Sequence, residues 1–317
     1  MVDFVPAPAT GRQHLLELTA AGRTLQAVVT EVAAGLRRLT VDGVEITASY
    51  PESMVAPLCA GAVLVPWPNR VRDGRWSNDG VEYQLDLTEP AQGNAIHGLL
   101  RNASYRLVER GPSWVELAAP VVPQNGYPFH LATTVRYELR VDGLAVQHQI
   151  VNVGAQRAPV AIGTHPFIAI GDTPTDELEL TLDAAVHIEV DDRLNPVGHT
   201  PVEGTAWDLR SGRRVGDLEL DDAWAEVTVT DGESVHGLRA ADGRRVLVWA
   251  DPAFCFLQAF ITREFPHGDG VTTAVALEPM TAPANALNTG HGLRWLAPGE
   301  EWCVSWGIRH EGFPVSS

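Results

Sequence analysis

Apolar and polar positions alternate most regularly between Thr133 and Val153. Thr133, Val135, Tyr137, Leu139 and Val141 are interleaved with Arg136, Glu138 and Arg140. After Asp142-Gly143 the pattern resumes, with Val146, His148 and Ile150 interleaved with Gln147 and Gln149. A period of two puts alternate side chains on opposite faces of an extended chain, so each half is a strand with one buried and one wetter face. Asp-Gly supplies the positive φ that a tight hairpin turn requires. The dipeptide recurs at Asp42, Asp73, Asp79, Asp231, Asp242 and Asp269. Further strands are expected at Thr24–Thr30, Leu36–Val41, Val81–Leu87, Trp114–Ala118, Leu178–Leu182, Val186–Val190, Ala225–Thr230, Arg244–Ala250, Phe254–Thr262 and Trp302–Ile308. Helical periodicity is nearly absent, and one short helical turn is expected at Glu52–Ala60. No regular βαβ alternation and no GxGxxG occur, which excludes a dinucleotide-binding sheet. Many short strands joined by hairpin turns indicate an all-β sandwich or barrel. Without a linker, composition break or fixed-period repeat, residues 1–317 read as one domain.

One stretch breaks the pattern. Ala274-Val-Ala-Leu277 is a short apolar run of the buried-strand type, and it ends on a carboxylate, Glu278. Pro279 cannot donate to a sheet ladder, so regular pairing is expected to stop about there. A carboxylate at the end of an apolar strand is costly to desolvate unless paired. Alone, it reads as a strand-end glutamate in water or beside an arginine. Other parts of the chain favour a chemical use.

The net charge of −17 and the pI near 5.0 repel phosphate backbones and anionic lipid, so neither nucleic acid nor membrane is an expected partner. All 23 basic residues are arginine. That excludes a Schiff-base lysine, pyridoxal-phosphate chemistry and a lysine-bearing phosphate loop. Cys59, Cys255 and Cys303 are far apart and form no CxxC pair, so a thiolate zinc site is not indicated. Their sparse, odd number suits a reducing cytoplasm. The N-terminal Met-Val-Asp-Phe-Val-Pro has neither a basic region nor an apolar core, and no run of ~20 apolar residues occurs. A secretory signal and a membrane span are therefore not expected.

Polar islands interrupt the strands. Val65-Pro-Trp-Pro-Asn-Arg70 is a rigid loop. It is either a surface turn or a pocket wall in which Trp67 gives shape and Arg70 donates to ligand oxygens. Asn94-Ala-Ile-His-Gly98 sets His97 beside a glycine that permits close backbone approach. Gly163-Thr-His-Pro-Phe167 sets His165 before a proline, which favours extended backbone. Taken alone, either histidine reads as structural. Leu220-Asp-Asp-Ala-Trp224 is a solvated acidic turn or a pair of acceptors beside an aromatic, and Asp191 to Gly198 reads as a turn. The histidines lack HxH, HxxxH and HExxH spacing, so no metal is expected. Without a GxSxG elbow, serine-hydrolase chemistry has little support.

Taken in order, these islands resemble the aldose 1-epimerase, or galactose mutarotase, family. The resemblance is carried by Pro68-Asn69-Arg70, His97-Gly98, Gly126-Tyr-Pro128, His165-Pro-Phe167, Asp191 to Gly198, Leu220-Asp-Asp-Ala-Trp224, and Leu277-Glu-Pro-Met-Thr281 with Pro283 and Asn285. No single motif is specific, but their order is. The Pro-Trp-Pro-Asn-Arg and Glu-Pro-Met-Thr wordings are similar to those of a bacterial subgroup that includes sulfoquinovose and related sugar mutarotases. The resemblance implies a large twisted β-sandwich of the galactose mutarotase type, with few short helices and the sugar on its concave face. It implies Glu278 as general base and His165 as general acid. His97 would hold the sugar near its ring oxygen, and Arg70 and Asp221 would hydrogen-bond hydroxyls. Asn69 and Trp67 complete the expected binding set. Asp221 rather than Asp222 fits the family's Asp-x-x-Phe spacing, with Trp224 in the aromatic place. The chain departs from the family where Asn-His-Ser-Tyr-Phe becomes Thr164-His-Pro-Phe167, and where Pro-Asp-Ala becomes Pro283-Ala-Asn285.

Anomer exchange passes through an open aldehyde. One group takes a proton from the C1 hydroxyl and another gives one to the ring oxygen, so two side chains suffice and neither metal nor cofactor is expected. At pH 7 a reference Glu is ionised, and a reference His, with a pKa near 6.5, is about one quarter protonated. Carboxylates around His165 would raise that fraction. The expected partner is a hexose-type aldose, the expected location the cytoplasm and the expected state a monomer or homodimer. One alternative is a non-catalytic carbohydrate-binding or sensing protein of the same fold, which would not need an acid/base pair. Another is a hexose-phosphate epimerase, which would want more basic residues than Arg70, Arg72 and Arg75 beside the pocket.

Overall fold

The computed structural model describes residues 7–314. The N-terminal Met-Val-Asp-Phe-Val-Pro segment, read above for a secretory signal, lies outside the described residues. Two large antiparallel sheets dominate. The nine-stranded sheet runs Arg106–Arg110, Trp114–Val121, Leu131–Arg140, Gly143–Asn152, Glu301–Glu311, Arg245–Ala250, Ser234–Arg239, Glu179–Thr181 and Arg213–Arg214. Its centre is the hairpin expected from the alternating pattern, with Tyr137 opposite Val146 and Val135 opposite His148. The buried Tyr137 hydroxyl donates to the Ala34 carbonyl at 2.7 Å, so the wide aromatic enters the core with its polar end satisfied.

The second large sheet runs Pro196–Pro201, Ala184–Val190, Asp221–Val227, Phe256–His267, Gly270–Met280, Gly163–Thr164 and Val63–Leu64, with Phe167–Ile168 also paired to Gly270–Met280. Alternate residues on its central strands serve different faces. Leu257, Ala259, Ile261, Val275, Leu277 and Trp224 join the main apolar core, which also takes Val135, Tyr137, Val146 and Ile308 from the other sheet. The opposite face carries two smaller apolar clusters. Phe167, Phe265, Ala274 and Ala276 form one, and Ile188, Ala223, Ala225 and Met280 the other. The architecture is a β-sandwich of the expected class. Among the described residues no helix is long and apolar enough to cross a membrane.

Several local expectations change. Pairing does not stop at Pro279, because Pro279 and Met280 face Leu257 and Phe256 across the ladder. Leu277 N–H donates to Pro166 on the other side, and Thr281 N–H to Ile162. Alternate residues address the same neighbour, so the missing N–H of Pro279 falls between these bonds, where His165-Pro166 already interrupts that ladder. The Leu220–Trp224 island is strand rather than turn, since Asp221–Val227 is paired on both sides. Pro196–Pro201, within and beyond the expected Asp191–Gly198 turn, is an edge strand. Of the expected helical turn at Glu52–Ala60, only the 3₁₀ turn Pro57–Cys59 forms, with Leu58 in the left-handed region. Strands Gln13–Ala20 and Ser234–Arg239 were not expected from the pattern. In the latter, His236 and Gly237 occupy buried positions and blur the alternation.

Candidate active site

Glu278 lies opposite Gln258, and Gln258 lies opposite Ala223 one strand further on; Asp221 lies opposite Phe260. The pleat therefore puts Glu278, Gln258, Phe260 and Asp221 on the face turned away from the main core. These residues, with Asn69, Arg70, Thr88, Glu89, His97, Arg101 and His165, line a cavity of about 310 Å³. Leu58, Cys59 and Ile96 supply apolar wall.

The walls are tied by a closed circuit of hydrogen bonds. Asn69 Nδ2 donates to Gln258 Oε1 at 3.1 Å, and Gln258 Nε2 donates to Asp221 Oδ1 at 2.6 Å. Arg70 Nη2 donates to Asp221 Oδ2 at 3.3 Å, and the Arg70 main-chain N–H returns to Asn69 Oδ1 at 2.8 Å. Each amide gives with its nitrogen and accepts with its oxygen, so neither flips without breaking two bonds. Glu89 takes the Nε and Nη2 edge of Arg70 at 2.9 Å in a bidentate pair.

A two-residue ladder, Arg70–Val71 against Ala95–Ile96, brings His97 beside Asn69. The two residues bond reciprocally: His97 N–H reaches the Asn69 carbonyl, and Asn69 N–H reaches His97 Nδ1 at 3.2 Å. Gly98 is required here. Its φ is +69°, and a Cβ would stand 2.3 Å from the Val65 carbonyl oxygen. Because an amide N–H cannot accept, neutral His97 must carry its proton on Nε2. His97, His165 and Glu278 bring ligand-type atoms within 4.8 Å of one another. The His97 Nε2 proton leaves no lone pair for a metal at that corner, and the ring serves instead as a donor.

His165 Nε2 stands 3.4 Å from Glu278 Oε1, and both side chains are almost wholly buried. His165 Nδ1 and Glu278 Oε2 have no hydrogen-bond partner among the described residues. Burial pushes the Glu278 carboxyl well above its ordinary range; Asp221 adds to that push and Arg70 opposes it. Burial pushes His165 down to about 4. His97 is also driven down, by burial first and then by the charges of His165, Arg70 and Arg101. The expectation that carboxylates would raise the charged fraction of His165 is overturned: burial is the largest influence on it, opposed by a main-chain hydrogen bond.

Glu278, His165, Arg70, His97, Asp221 and Asn69 are thus gathered around one cavity. Trp67 is not. It is 2% exposed, sits in the main core and lies 6.0 Å from the Tyr127 ring. The aromatic side chain on the cavity wall is Phe260. Asp222 and Trp224 face away from the cavity. Asp222 meets His187 Nε2 at 2.7 Å, and that imidazole stacks on Trp207. Of the two adjacent acids, the pleat turns Asp221 toward the cavity and Asp222 toward His187. Gln258, Glu89 and Arg101 were missed. Gln258 alone left a trace, as a polar residue inside the apolar run Phe254–Thr262.

A family model described as aldose 1-epimerase matches residues 14–308. The chain is 31% identical over 284 residues to the uncharacterized protein YihR of Escherichia coli K12, covering 86% of each. It is 29% identical over 165 residues to galactose mutarotase of Rattus norvegicus, which is 49% of this chain and 46% of that one. Its fold is similar to the crystal structure of a GalM/aldose epimerase homologue from C. elegans, with a TM-score of 0.80 at 18% identity over 95% of this chain and 99% of the other.

The opposed faces of Asp221 and Asp222 have separable consequences. Asp222→Ala leaves His187 without its partner and should destabilise the fold by about 1–3 kcal/mol in urea unfolding, with no effect on a sugar bound in the cavity. If the cavity holds a sugar, Asp221→Ala should weaken its binding, read by titration calorimetry. Equal loss of affinity in both variants would contradict the assignment.

Proposed function

Because the chain belongs to the aldose 1-epimerase family, we propose that it interconverts the α and β anomers of a free aldose, with Glu278 and His165 as the base and acid. The observation that carries this reading is the 3.4 Å approach of His165 Nε2 to Glu278 Oε1 in a cavity lined by donors and acceptors suited to hydroxyl groups. A neutral glutamic acid beside a neutral imidazole holds as many protons as a carboxylate beside an imidazolium. The two forms differ by one transfer within the pair. Burial favours the first, whereas Arg70 favours the carboxylate. In the ring-opening direction the C1 hydroxyl gives its proton to Glu278. His165 gives its proton to the ring oxygen as the C1–O bond breaks, leaving the aldehyde and a C5 hydroxyl. After rotation about C1–C2 the same transfers run backwards on the other carbonyl face. The reaction returns the pair to its starting state, so no net proton is consumed. Proton transfer of this kind contributes typically about 10²–10⁴-fold.

The working state is the singly protonated pair. Below about 4, His165 holds a second proton and no base remains. At high pH the shared proton leaves Glu278 and no acid remains. The profile of kcat/KM should therefore be a bell with its acid limb near 4, and with an alkaline limb set by the raised carboxyl rather than by an imidazole near 6.5. Polarimetry of freshly dissolved α-glucose and α-galactose reads both this profile and the effect of Glu278→Gln, expected to lower kcat by about 10²–10⁴-fold. Acceleration that survives the substitution would remove Glu278 as the base. No acceleration by the wild type on any aldose would favour a sugar-binding protein.

A second reading, an aldose bearing an anionic substituent, has one observation in its favour. Arg70 is paired to Glu89 and Asp221, and Arg72 to Asp191. Arg101 lines the cavity, and its guanidinium hydrogen-bonds the Cys59 thiol at 3.8 Å and the Thr88 carbonyl at 3.4 Å, neither an anion. If this reading holds, Arg101→Gln should cut kcat/KM for glucose 6-phosphate about tenfold or more, the scale of one charged hydrogen bond, while sparing glucose. Equal effects on both sugars would dismiss it.

A further inference from the structure

The Asp191 to Gly198 motif has no task in the acid and base scheme, yet it reaches the rim of the cavity through one side chain. Asp191 Oδ1 accepts the main-chain N–H groups of Arg193 and Asn195, at 3.0 and 2.9 Å, and so sets the turn. From that turn Arg193 grips the segment that follows Glu89. Its Nε donates to the Gln92 carbonyl at 2.7 Å, and its Nη2 donates to the Gly93 carbonyl at 3.0 Å and to Asp73 at 2.7 Å. Asn94 answers by donating to the Arg193 carbonyl at 2.9 Å. Gly93 makes this possible, because its φ is +68° and a Cβ would lie 3.0 Å from Arg193 Nη2. The gripped segment closes back on Glu89, whose N–H and carbonyl pair with Asn94. Glu89 in turn occupies the Nε and Nη2 edge of Arg70, leaving Nη1 without a protein acceptor among the described residues.

We propose that Arg193 and Glu89 are positioning residues for the sugar site. Arg193 clamps the loop that carries Glu89, and Glu89 orients Arg70 so that its Nη1 edge is the one offered to a sugar hydroxyl. Arg193 lies outside the cavity lining and acts through Glu89. The inference rests on the sugar-site reading.

The test measures mutarotation kinetics, calorimetric aldose binding and melting temperature on wild type, Arg193→Ala, Arg193→Lys, Glu89→Gln and the Arg193→Ala/Glu89→Gln double variant. Arg193→Ala should raise KM and Kd about tenfold, with kcat held within about threefold, as expected for lost binding rather than lost chemistry. Arg193→Lys keeps the charge but not the fork, and should recover only part of the affinity. The double variant should bind no more weakly than Glu89→Gln alone, because the two lie on one route. Unchanged KM and Kd in Arg193→Ala, or additive losses in the double variant, would overturn the proposal. If Arg193→Ala does not fold, Arg193→Gln, which keeps two donors for the Gln92 and Gly93 carbonyls and loses the Asp73 ion pair, gives the same readouts. Binding without turnover in wild type would count against the acid and base reading while leaving the clamp measurable through Kd. Binding of no aldose would overturn both.

Discussion

A carboxyl group buried at the end of an apolar strand sets the terms for its surroundings. Glu278 is 2% exposed, and the satellite clusters on its face of the sheet offer it no hydrogen bonds. In such a place the ionised form is costly, and its state depends on the few polar groups within reach. His165 stands at 3.4 Å, Arg70 pulls one way and Asp221 the other. The polar circuit through Asn69, Gln258, Asp221 and Arg70 then follows as a requirement. Buried polar groups that support one carboxyl must themselves be satisfied, and a closed ring achieves this.

The two-residue period of the strand connects fold to site. It sends Leu277 into the core and Glu278 into the cavity, and it separates Asp221 from Asp222 by turning them to opposite faces. The core and the cavity wall are thus built from adjacent residues of the same strands. The interruption at His165-Pro166 meets Pro279 across the ladder, so two prolines share one gap in the hydrogen bonding.

The sandwich was legible because a period-two pattern between Asp-Gly turns has few other physical outcomes. At Asp42-Gly43, Asp79-Gly80 and Asp231-Gly232 both turn residues take positive φ, as that dipeptide favours. The motifs gathered at the cavity were legible as short polar interruptions of strands. What could not be read were quantities that depend on neighbours distant in sequence. Nothing near Glu89 announces Arg70, and nothing near Arg101 announces Cys59. Trp67 misled because a tryptophan beside a polar loop is equally suited to core and to ligand. The charge of His165 misled because counting nearby carboxylates neglects burial, the largest influence on it here. Pairing through Pro279 depends on which neighbour its nitrogen faces, and that is a property of the assembled sheet.

The cations lining the cavity, Arg70 and Arg101, are both guanidiniums, and the chain contains no lysine at all. An open-chain sugar presents an aldehyde, which condenses readily with a free primary amine. A guanidinium stays protonated at every working pH and offers no such amine. If the cavity opens sugar rings as proposed, its positive charges bind the carbonyl form without being consumed by it, and the chain has no ε-amino group anywhere for that aldehyde to glycate.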